Sequence, residues 1–188
     1  MERTLQQTNS NCIKVVLFGP ESTGKSTLAK ELADHYNSIY VEEYAREYLQ
    51  KKYDFNQEIC SYDDLIPIAK GQMRLENEAS KKCNSILFCD TDLLTTKIYS
   101  EIYFDECDPL INEYAIKNKY DLYLLMDVDI PWVKDDLRDK PNERKEIFEY
   151  FKKTLEKYDK KYNLINGSFL ERKLKSIEII DKIINIVT

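Results

Sequence analysis

Histidine and long apolar runs are scarce in this chain of 188 residues, and each shortage excludes a class of function. The single histidine, His35, excludes mechanisms that need two histidines in one chain, and its place near a helix end favours a capping or surface role. No apolar run approaches the ~20 residues of a membrane-spanning helix. Acidic residues outnumber basic ones by 34 to 28, which argues against a general nucleic-acid-binding surface.

The five cysteines follow no metal-binding or secretory pattern. Their number is odd, no Cys-x-x-Cys pair occurs, and the N-terminal stretch lacks the apolar segment of a secretory leader. We therefore expect neither a zinc site nor a disulfide framework, and a reducing cytoplasm suits the chain best. Residues 1–11 are polar and are expected to be disordered, ahead of one domain over residues 12–188.

Short apolar, β-branched runs alternate with stretches of helical spacing along the chain. The runs predict buried strands at 12–18, 38–41, 85–90, 122–126 and 162–165. The other stretches predict helices at 26–36, 42–51, 62–82, 93–103, 109–117, 142–160 and 169–187. Strands separated by helices at this spacing predict an α/β domain, with a parallel five-stranded sheet and helices on both faces.

The run Gly-Pro-Glu-Ser-Thr-Gly-Lys-Ser from Gly19 matches the phosphate-binding pattern G-x-x-x-x-G-K-[ST] at each fixed position. It follows an apolar strand and opens a helix, which is the context that the motif requires. Backbone N–H groups and the helix N-terminus would bind phosphates, Lys25 would reach the β and γ oxygens, and the Ser26 hydroxyl would ligate Mg²⁺. The ATP-binding residues predicted in this loop are Gly19, Glu21, Ser22, Thr23, Gly24, Lys25, Ser26 and Thr27.

Signatures of other phosphate-loop classes are missing or misplaced. No glycine has an aspartate three positions before it, so the D-x-x-G of GTPases is absent. Residues 118–121 match N-K-x-D but precede a strand instead of following one, so we interpret them as a turn. The third strand ends without the adjacent glutamate that is typical of motor ATPases. A small-molecule kinase is the class that remains.

Carboxylates follow three successive predicted strands, and parallel strands bring such positions to one edge of the sheet. Phosphoryl transfer needs a carboxylate for the metal, a base for the acceptor hydroxyl and cations over the transferring group. Asp90 is predicted to be the Mg²⁺ ligand. Asp92 and Glu43 compete as the base, and both are candidate substrate ligands. The alternative for each carboxylate is a helix N-cap.

The charged, irregular segment 130–144 is predicted to be a lid over the phosphates. Its Arg138 and Arg144 would neutralise the transferring group; the alternative is a solvated loop in which they pair with nearby acids. Trp132 is a candidate for stacking on a flat ring or for plain packing. Arg46 is a candidate to hold substrate or phosphate, or to form an ordinary salt bridge.

Seven stretches form a longer pattern. They are Gly-Pro-Glu-Ser-Thr-Gly-Lys-Ser-Thr from Gly19, Glu-Tyr-Ala-Arg-Glu-Tyr-Leu from Glu43, Ile-Ala-Lys-Gly-Gln from Ile68, Leu-Phe-Cys-Asp-Thr-Asp-Leu-Leu-Thr-Thr-Lys from Leu87, Tyr-Asp-Leu-Tyr-Leu-Leu from Tyr120, Asp-Ile-Pro-Trp-Val from Asp129 and Leu-Arg-Asp-x-Pro-x-x-Arg from Leu137. Together they resemble the ribosylnicotinamide kinase domain of NadR-type proteins. The resemblance covers nearly the whole chain from Ile13 onward, and these motifs are more specific than the phosphate loop alone.

The resemblance implies a thymidylate-kinase-like fold and Mg²⁺-dependent transfer of the ATP γ-phosphate to the 5′-hydroxyl of nicotinamide riboside. It implies that Asp90 and Asp92 lie near metal and substrate, and that Ser168 and Phe169 lie on the adenine side. Larger family members carry adenylyltransferase and repressor domains before the kinase. About eleven residues precede the first strand here, so those two functions are not expected.

The flat, cationic ring of nicotinamide riboside suits a net-negative site in which Tyr44 and Trp132 are candidate partners. Two alternatives stay open. One is a kinase of another nucleoside or small alcohol on the same scaffold. The other is an ATP-binding regulatory module that hydrolyses slowly, signals by lid closure and takes no small acceptor.

Overall fold

The computed structural model describes residues 5–187 and contains a five-stranded sheet in which each pairing is parallel. The elements are β1 (Ile13–Phe18), α1 (Lys25–His35), β2 (Ile39–Val41), α2 (Tyr44–Asn56), α3 (Leu65–Lys82), β3 (Ile86–Asp90), α4 (Leu93–Phe104), α5 (Pro109–Lys117), β4 (Leu122–Met126), α6 (Arg144–Lys157), β5 (Tyr162–Ile165) and α7 (Phe169–Val187). A 3₁₀ turn, Tyr62–Asp64, leads into α3. The predicted strands and helices are confirmed; the largest shift of an end is in α2, which continues five residues beyond the predicted 51.

The strand order β2–β3–β1–β4–β5 places β1 at the centre of the sheet. Leu17 of β1 lies beside Asp90 of β3, and Phe18 lies beside Leu125 of β4. Because the strands are parallel, the loops that follow β1, β3 and β4 open at the same edge. The phosphate loop follows β1, so it lies between the carboxylates that follow β3 and β4.

Alternate side chains of β1 divide the interior into two apolar layers. Val15 and Leu17 pack against α1 and α7, whereas Val16 and Phe18 belong to the layer built from α3, α4, α5 and α6. Both β3 and β4 are buried along their whole length, as a sheet covered on both faces requires. Among the described residues, no helix has both the length and the apolar character needed to cross a membrane.

The N-K-x-D match lies in the connection between α5 and β4, at the other edge of the sheet. Asn118 follows α5 directly, and its amide donates to the Leu5 carbonyl at 3.2 Å. The Asp121 carboxylate accepts from the Lys14 backbone N–H at 2.7 Å. These residues precede β4, so they lie away from the phosphate loop and cannot contact a base bound beside it.

Residues 5–11 are packed against the domain, and the prediction of a disordered lead-in is wrong for them. Leu5 is fully buried in the layer under α3 to α6. The Gln7 side-chain amide donates to the buried Glu76 carboxylate at 2.8 Å. The polar composition of this segment predicted disorder, because composition alone does not show that a single leucine packs in the core. Residues 1–4 lie outside the described residues.

A disulfide joins Cys12 and Cys83, contrary to the expectation from the cysteine pattern. Cys12 precedes β1 and Cys83 follows α3, with their Cα atoms 6.3 Å apart. The two residues are 71 positions apart, so no short spacing motif could reveal the pair. The free cysteines are Cys60, Cys89 and Cys107.

The burial of Leu5 predicts that Leu5→Ala destabilises the chain. Removing a fully buried leucine side chain costs about 2–5 kcal/mol, whereas Leu174→Ala, at a residue that is 58% exposed, is expected to change the free energy of unfolding by less than about 0.5 kcal/mol. Urea unfolding of the two variants and the parent measures both values. Equal, small changes in the two variants would show that residues 5–11 do not anchor the fold.

Candidate active site

Two glycines allow the backbone of the phosphate loop to curl. Gly19 has φ +138° and Gly24 has φ +80°, conformations that residues with side chains rarely adopt. A Cβ atom at Gly19 would also lie 2.8 Å from the Met126 carbonyl oxygen of β4. The first fixed glycine of the motif therefore fits the loop closely against the end of the neighbouring strand.

Lys25 and Thr23 hold the loop from inside. The Lys25 ammonium donates to the Pro20 carbonyl at 2.7 Å, and the Thr23 hydroxyl donates to the same oxygen at 2.8 Å. Both side chains are buried, whereas Ser26, the next residue of α1, is exposed. The loop is thus formed, with a buried cation and an accessible hydroxyl at the first turn of α1.

Asp90 ends β3 beside this loop and is 2% exposed. Burial raises the pKa of Asp90, and the negative charge of Glu43 raises it further, while the Lys25 charge and a hydrogen bond with Ser26 oppose the rise. Its Oδ1 atom has no hydrogen-bond partner among the described residues. A buried carboxylate oxygen without a partner, next to a hydroxyl, is a donor set that fits Mg²⁺.

No group of three or more histidine, cysteine, aspartate or glutamate side chains within residues 5–187 could hold a metal ion. Mg²⁺ in phosphate-transfer sites usually has only one or two carboxylate ligands and completes its shell with substrate phosphates and water. The pair predicted from the sequence, Ser26 and Asp90, suits that kind of site and not a metal held by protein ligands alone.

Asp92 differs from its predicted role. It is 1% exposed; its Oδ1 accepts from the Thr95 backbone N–H at 3.1 Å, and its Oδ2 accepts from the Tyr123 hydroxyl at 2.8 Å. It therefore caps α4, which was the alternative for this carboxylate. The reason lies in Thr91, whose φ of +71° ends the strand, so that Asp92 does not continue the alternation from Asp90.

Glu43 lies at the start of α2, half-buried, with its charge acting on Asp90. The buried Gln72 side chain of α3 fixes the backbone on both sides of it. The Tyr44 N–H donates to Gln72 Oε1 at 2.8 Å, and Gln72 Nε2 donates to the Glu42 carbonyl at 3.3 Å. Gln72 belongs to one of the sequence motifs, but nothing in the sequence marks its side chain for this role. Of the two predicted bases, Glu43 is the one that the geometry leaves available.

The Tyr44 ring packs over Gly71, the residue before Gln72 in α3. A Cβ atom at Gly71 would overlap this ring. The guanidinium of Arg74, which is also in α3, lies 6.0 Å from the centroid of the Tyr44 ring. Tyr44 is therefore held against α3 at the start of α2, and a single glycine makes room for it.

The predicted lid segment lies across the phosphate loop. Trp132 donates its indole N–H to Glu21 Oε1 at 3.2 Å, and the Arg144 guanidinium donates to the Ser22 carbonyl at 3.0 Å. Burial raises the pKa of Glu21. Arg144 is itself buried, and its Nε has no hydrogen-bond partner among the described residues. Trp132 and Arg144 thus contact the loop itself, from opposite ends of the segment.

Arg46 and Arg138 share one partner, Asp135. The Arg138 Nε lies 3.1 Å from Asp135 Oδ2, and Arg46 of α2 forms an ion pair with the same carboxylate. The salt-bridge alternative describes both arginines in this structure. The carboxylate thereby connects the lid segment to the helix that carries Glu43.

Ser168 and Phe169 begin α7 after β5. Ser168 pairs with Glu171 in the first helical turn, and Phe169 is 43% exposed. Arg172, which the sequence did not single out, is 2% exposed and contacts both this loop and the phosphate loop. An arginine among charged residues at the start of a helix normally indicates a solvated surface, so no pattern marks it.

A family model described as an AAA domain matches residues 14–172. The chain is 33% identical over 124 residues to the trifunctional NAD biosynthesis/regulator protein NadR of Salmonella typhimurium and of Escherichia coli, covering 66% of this chain but 30% of each relative. It is 27% identical over 164 residues to a probable thymidylate kinase of Methanococcus aeolicus, covering 85% of this chain and 82% of that protein.

Solved structures give the same picture. NadR in complex with NR matches with a TM-score of 0.74 and 23% identity, over 91% of this chain and 50% of that one. NadR with NAD and AMP-PNP matches with a TM-score of 0.74 and 25% identity, over 91% of this chain and 49% of that one. Thymidylate kinase from Ehrlichia chaffeensis matches with a TM-score of 0.66 and 14% identity, over 90% of this chain and 98% of that one. The predicted thymidylate-kinase-like fold and the resemblance to NadR-type kinase domains are confirmed.

The overlap between Tyr44 and a Cβ atom at position 71 predicts the effect of Gly71→Ala. The added methyl group is expected to destabilise the chain by about 1–3 kcal/mol, because the ring must move out of a packed position. In a Tyr44→Ala background the same change is expected to be neutral or to stabilise by up to about 1 kcal/mol, since alanine favours a helix over glycine. Urea unfolding of the four chains tests this; an equal effect in both backgrounds contradicts the steric argument.

The pKa of Asp92 predicts a pH-dependent difference between the parent and Asp92→Asn. Burial raises the pKa of Asp92 to about 6 in the folded chain, above its ordinary value. At a pH between these two pKa values, the folded state therefore binds more protons than the unfolded state. The free energy of unfolding of the parent should therefore fall relative to Asp92→Asn by roughly 2 kcal/mol from pH 4 to pH 7. Urea unfolding at each pH measures it; a constant difference contradicts it.

Proposed function

We propose, from the premise that the chain belongs to the family of AAA domains matched over residues 14–172, that it is an ATP-dependent kinase of nicotinamide riboside. The product is nicotinamide mononucleotide. The observation that carries the proposal is the buried Asp90 carboxylate, with an unpartnered oxygen, beside a complete phosphate loop and the charge of Glu43. The NadR structures named for NR and AMP-PNP support this choice of acceptor and of phosphate donor.

The donor side uses the residues of the phosphate loop. Backbone N–H groups from Ser22 to Thr27 and the N-terminus of α1 bind the phosphates, with Lys25 at the β and γ oxygens. Ser168 and Phe169 lie on the adenine side. Ser26 and Asp90 would hold Mg²⁺, which when bound would neutralise negative charge on the phosphates.

The acceptor side uses Glu43 as the base. The glutamate accepts the proton of the 5′-hydroxyl as that oxygen forms a bond to the γ phosphorus. The bond from the γ phosphorus to the β,γ-bridging oxygen breaks, and ADP leaves with the electron pair. The lid segment, held to the phosphate loop by Trp132 and Arg144, excludes water so that the riboside and not water takes the phosphoryl group.

The charge of the site suits a cationic acceptor. Besides burial, the negative charges of Glu43 and Glu42 raise the pKa of Asp90, so these glutamates place negative charge beside the position proposed for the acceptor. Tyr44 is the aromatic ring nearest to Glu43 in sequence, and Trp132 is the ring of the lid, so the two could enclose a flat ring. Arg46 and Arg138 reach this region through Asp135.

A kinase of another nucleoside or nucleotide is the second candidate. The observation that favours it is the probable thymidylate kinase of Methanococcus aeolicus, which aligns over 85% of this chain. That relative aligns over more of the chain than NadR does, although at lower identity. The two candidates differ in acceptor and share the phosphate loop.

ADP release with MgATP, measured with and without nicotinamide riboside, decides between them. We expect the riboside to stimulate release strongly, with nicotinamide mononucleotide formed in equal amount, and the blank Lys25→Ala to show neither. Uridine, thymidine and thymidylate serve as competing acceptors. No stimulation by the riboside, with stimulation by another acceptor, refutes the first candidate; ATP binding with no acceptor at all indicates a regulatory module.

A matched pair of variants tests the assignment of the base. Glu43→Gln is expected to lower kcat by about 10²-fold or more, because the acceptor proton loses its carboxylate. Asp92→Asn changes a carboxylate that caps α4 and is expected to lower kcat by less than about tenfold, as its bonds are to Thr95 and Tyr123. Steady-state kinetics at saturating MgATP gives both values. The reverse order of effects would return Asp92 to the role of base.

A further inference from the structure

We infer that Arg172 is a positioning residue that fixes the phosphate loop and the β5–α7 loop at one separation, so that the two ends of ATP are bound together. Arg172 lies in the first turn of α7, and its guanidinium is buried. Its partners are three backbone carbonyls and the Asp129 carboxylate, so it acts through the loops that carry them. The inference rests on the proposed function for the identity of the nucleotide.

The guanidinium reaches three loops at once. Its Nη1 donates to the Thr23 carbonyl in the phosphate loop at 2.9 Å, and its Nε donates to the Gly167 carbonyl after β5 at 2.8 Å. Its Nη2 donates to the Asp127 carbonyl after β4 at 3.1 Å and forms an ion pair with Asp129. The loops that follow β1, β4 and β5 therefore meet at one side chain.

Asp129 completes the connection. One of its carboxylate oxygens pairs with Arg172, and the other accepts from the Gly167 backbone N–H at 2.6 Å. Gly167 is thus held at both its N–H and its carbonyl. Its φ of +95° is a conformation that favours glycine. The planar fork of an arginine can serve three separate acceptor directions, whereas a lysine ammonium acts as a point charge.

The consequence for ATP follows from the two loops that are joined. Thr23 belongs to the loop that binds phosphates, and Gly167 directly precedes Ser168 and Phe169 on the adenine side. A ligand that engages two sites held at a fixed distance gains affinity, because binding at the first raises the effective concentration at the second. Inorganic tripolyphosphate engages the phosphate loop alone and gains nothing from this connection.

The experiment compares the affinities of ATP and tripolyphosphate, both with Mg²⁺ and without acceptor, by calorimetry on the full chain. The variants are Arg172→Lys, which keeps the charge, and Asp129→Asn, whose side chain is partly exposed and tolerates the change. The control is Lys173→Met, next to Arg172, which removes an ion pair between α7 and Glu31 of α1. Thermal unfolding of each chain is measured in parallel.

We expect Arg172→Lys to reduce the preference for ATP over tripolyphosphate by about tenfold, within the usual range of coupling between two sites. Asp129→Asn should reduce it in the same direction by a smaller factor, and Lys173→Met should lower the melting temperature without changing the preference. If Arg172→Lys does not fold, Asp129→Asn decides alone. A merely structural role predicts an equal loss for both ligands, and that result overturns the inference.

A parent chain that binds tripolyphosphate as tightly as ATP also overturns the inference, because the β5–α7 loop then adds nothing to nucleotide binding. That result is distinct from failure of the proposed function, which concerns phosphoryl transfer to nicotinamide riboside and is measured by formation of the mononucleotide.

Discussion

The site depends on hydrogen bonds to the carbonyl groups of the phosphate loop. Lys25 donates to the Pro20 carbonyl, Arg144 to that of Ser22 and Arg172 to that of Thr23. These cations come from α1, α6 and α7, so three separate helices hold one short loop. They also gather positive charge around the phosphate-binding position in a chain whose net charge is −6. An acidic protein can therefore bind a polyanion, because the local field and not the net charge acts on the ligand.

Two aspartates, Asp90 and Asp92, follow one another closely on the other side of the loop. Thr91, in a left-handed conformation, separates two aspartates that the sequence places two residues apart. Asp90 remains beside Ser26 and Lys25 with a free oxygen, while Asp92 is enclosed by Thr95 and Tyr123. Burial raises the pKa of both carboxyl groups, but of the two only Asp90 has a buried oxygen without a hydrogen-bond partner among the described residues. One backbone torsion thus gives two similar side chains different surroundings.

Patterns of short range were sufficient to predict the sheet, the helices and the phosphate loop, because strand hydrophobicity, helix spacing and the fixed glycines are local properties. Three features that the sequence did not reveal depend on contacts between residues that lie far apart in the chain. Leu5 is buried beneath helices that begin some sixty residues later, Cys12 meets Cys83, and Arg172 reaches Thr23. The N-cap role of Asp92 was only the alternative in the prediction, because the sequence does not show that Thr91 takes a left-handed conformation after β3 ends at Asp90. Gln72 was visible in a motif, but its role required knowing that its amide brackets Glu43.

The anchoring of the N-terminal segment also determines how the protein can be handled. The Leu5 carbonyl accepts from Asn118, which precedes β4, whereas the phosphate loop follows the far end of β1. β1 has six residues and so separates these two edges by about 20 Å. Leu5 therefore lies on the side remote from the nucleotide, which favours the N-terminal side for an affinity tag, a fluorophore or a surface linkage. A chain immobilised in this way presents its active site to the solution, which suits measurements of ligand binding on a surface.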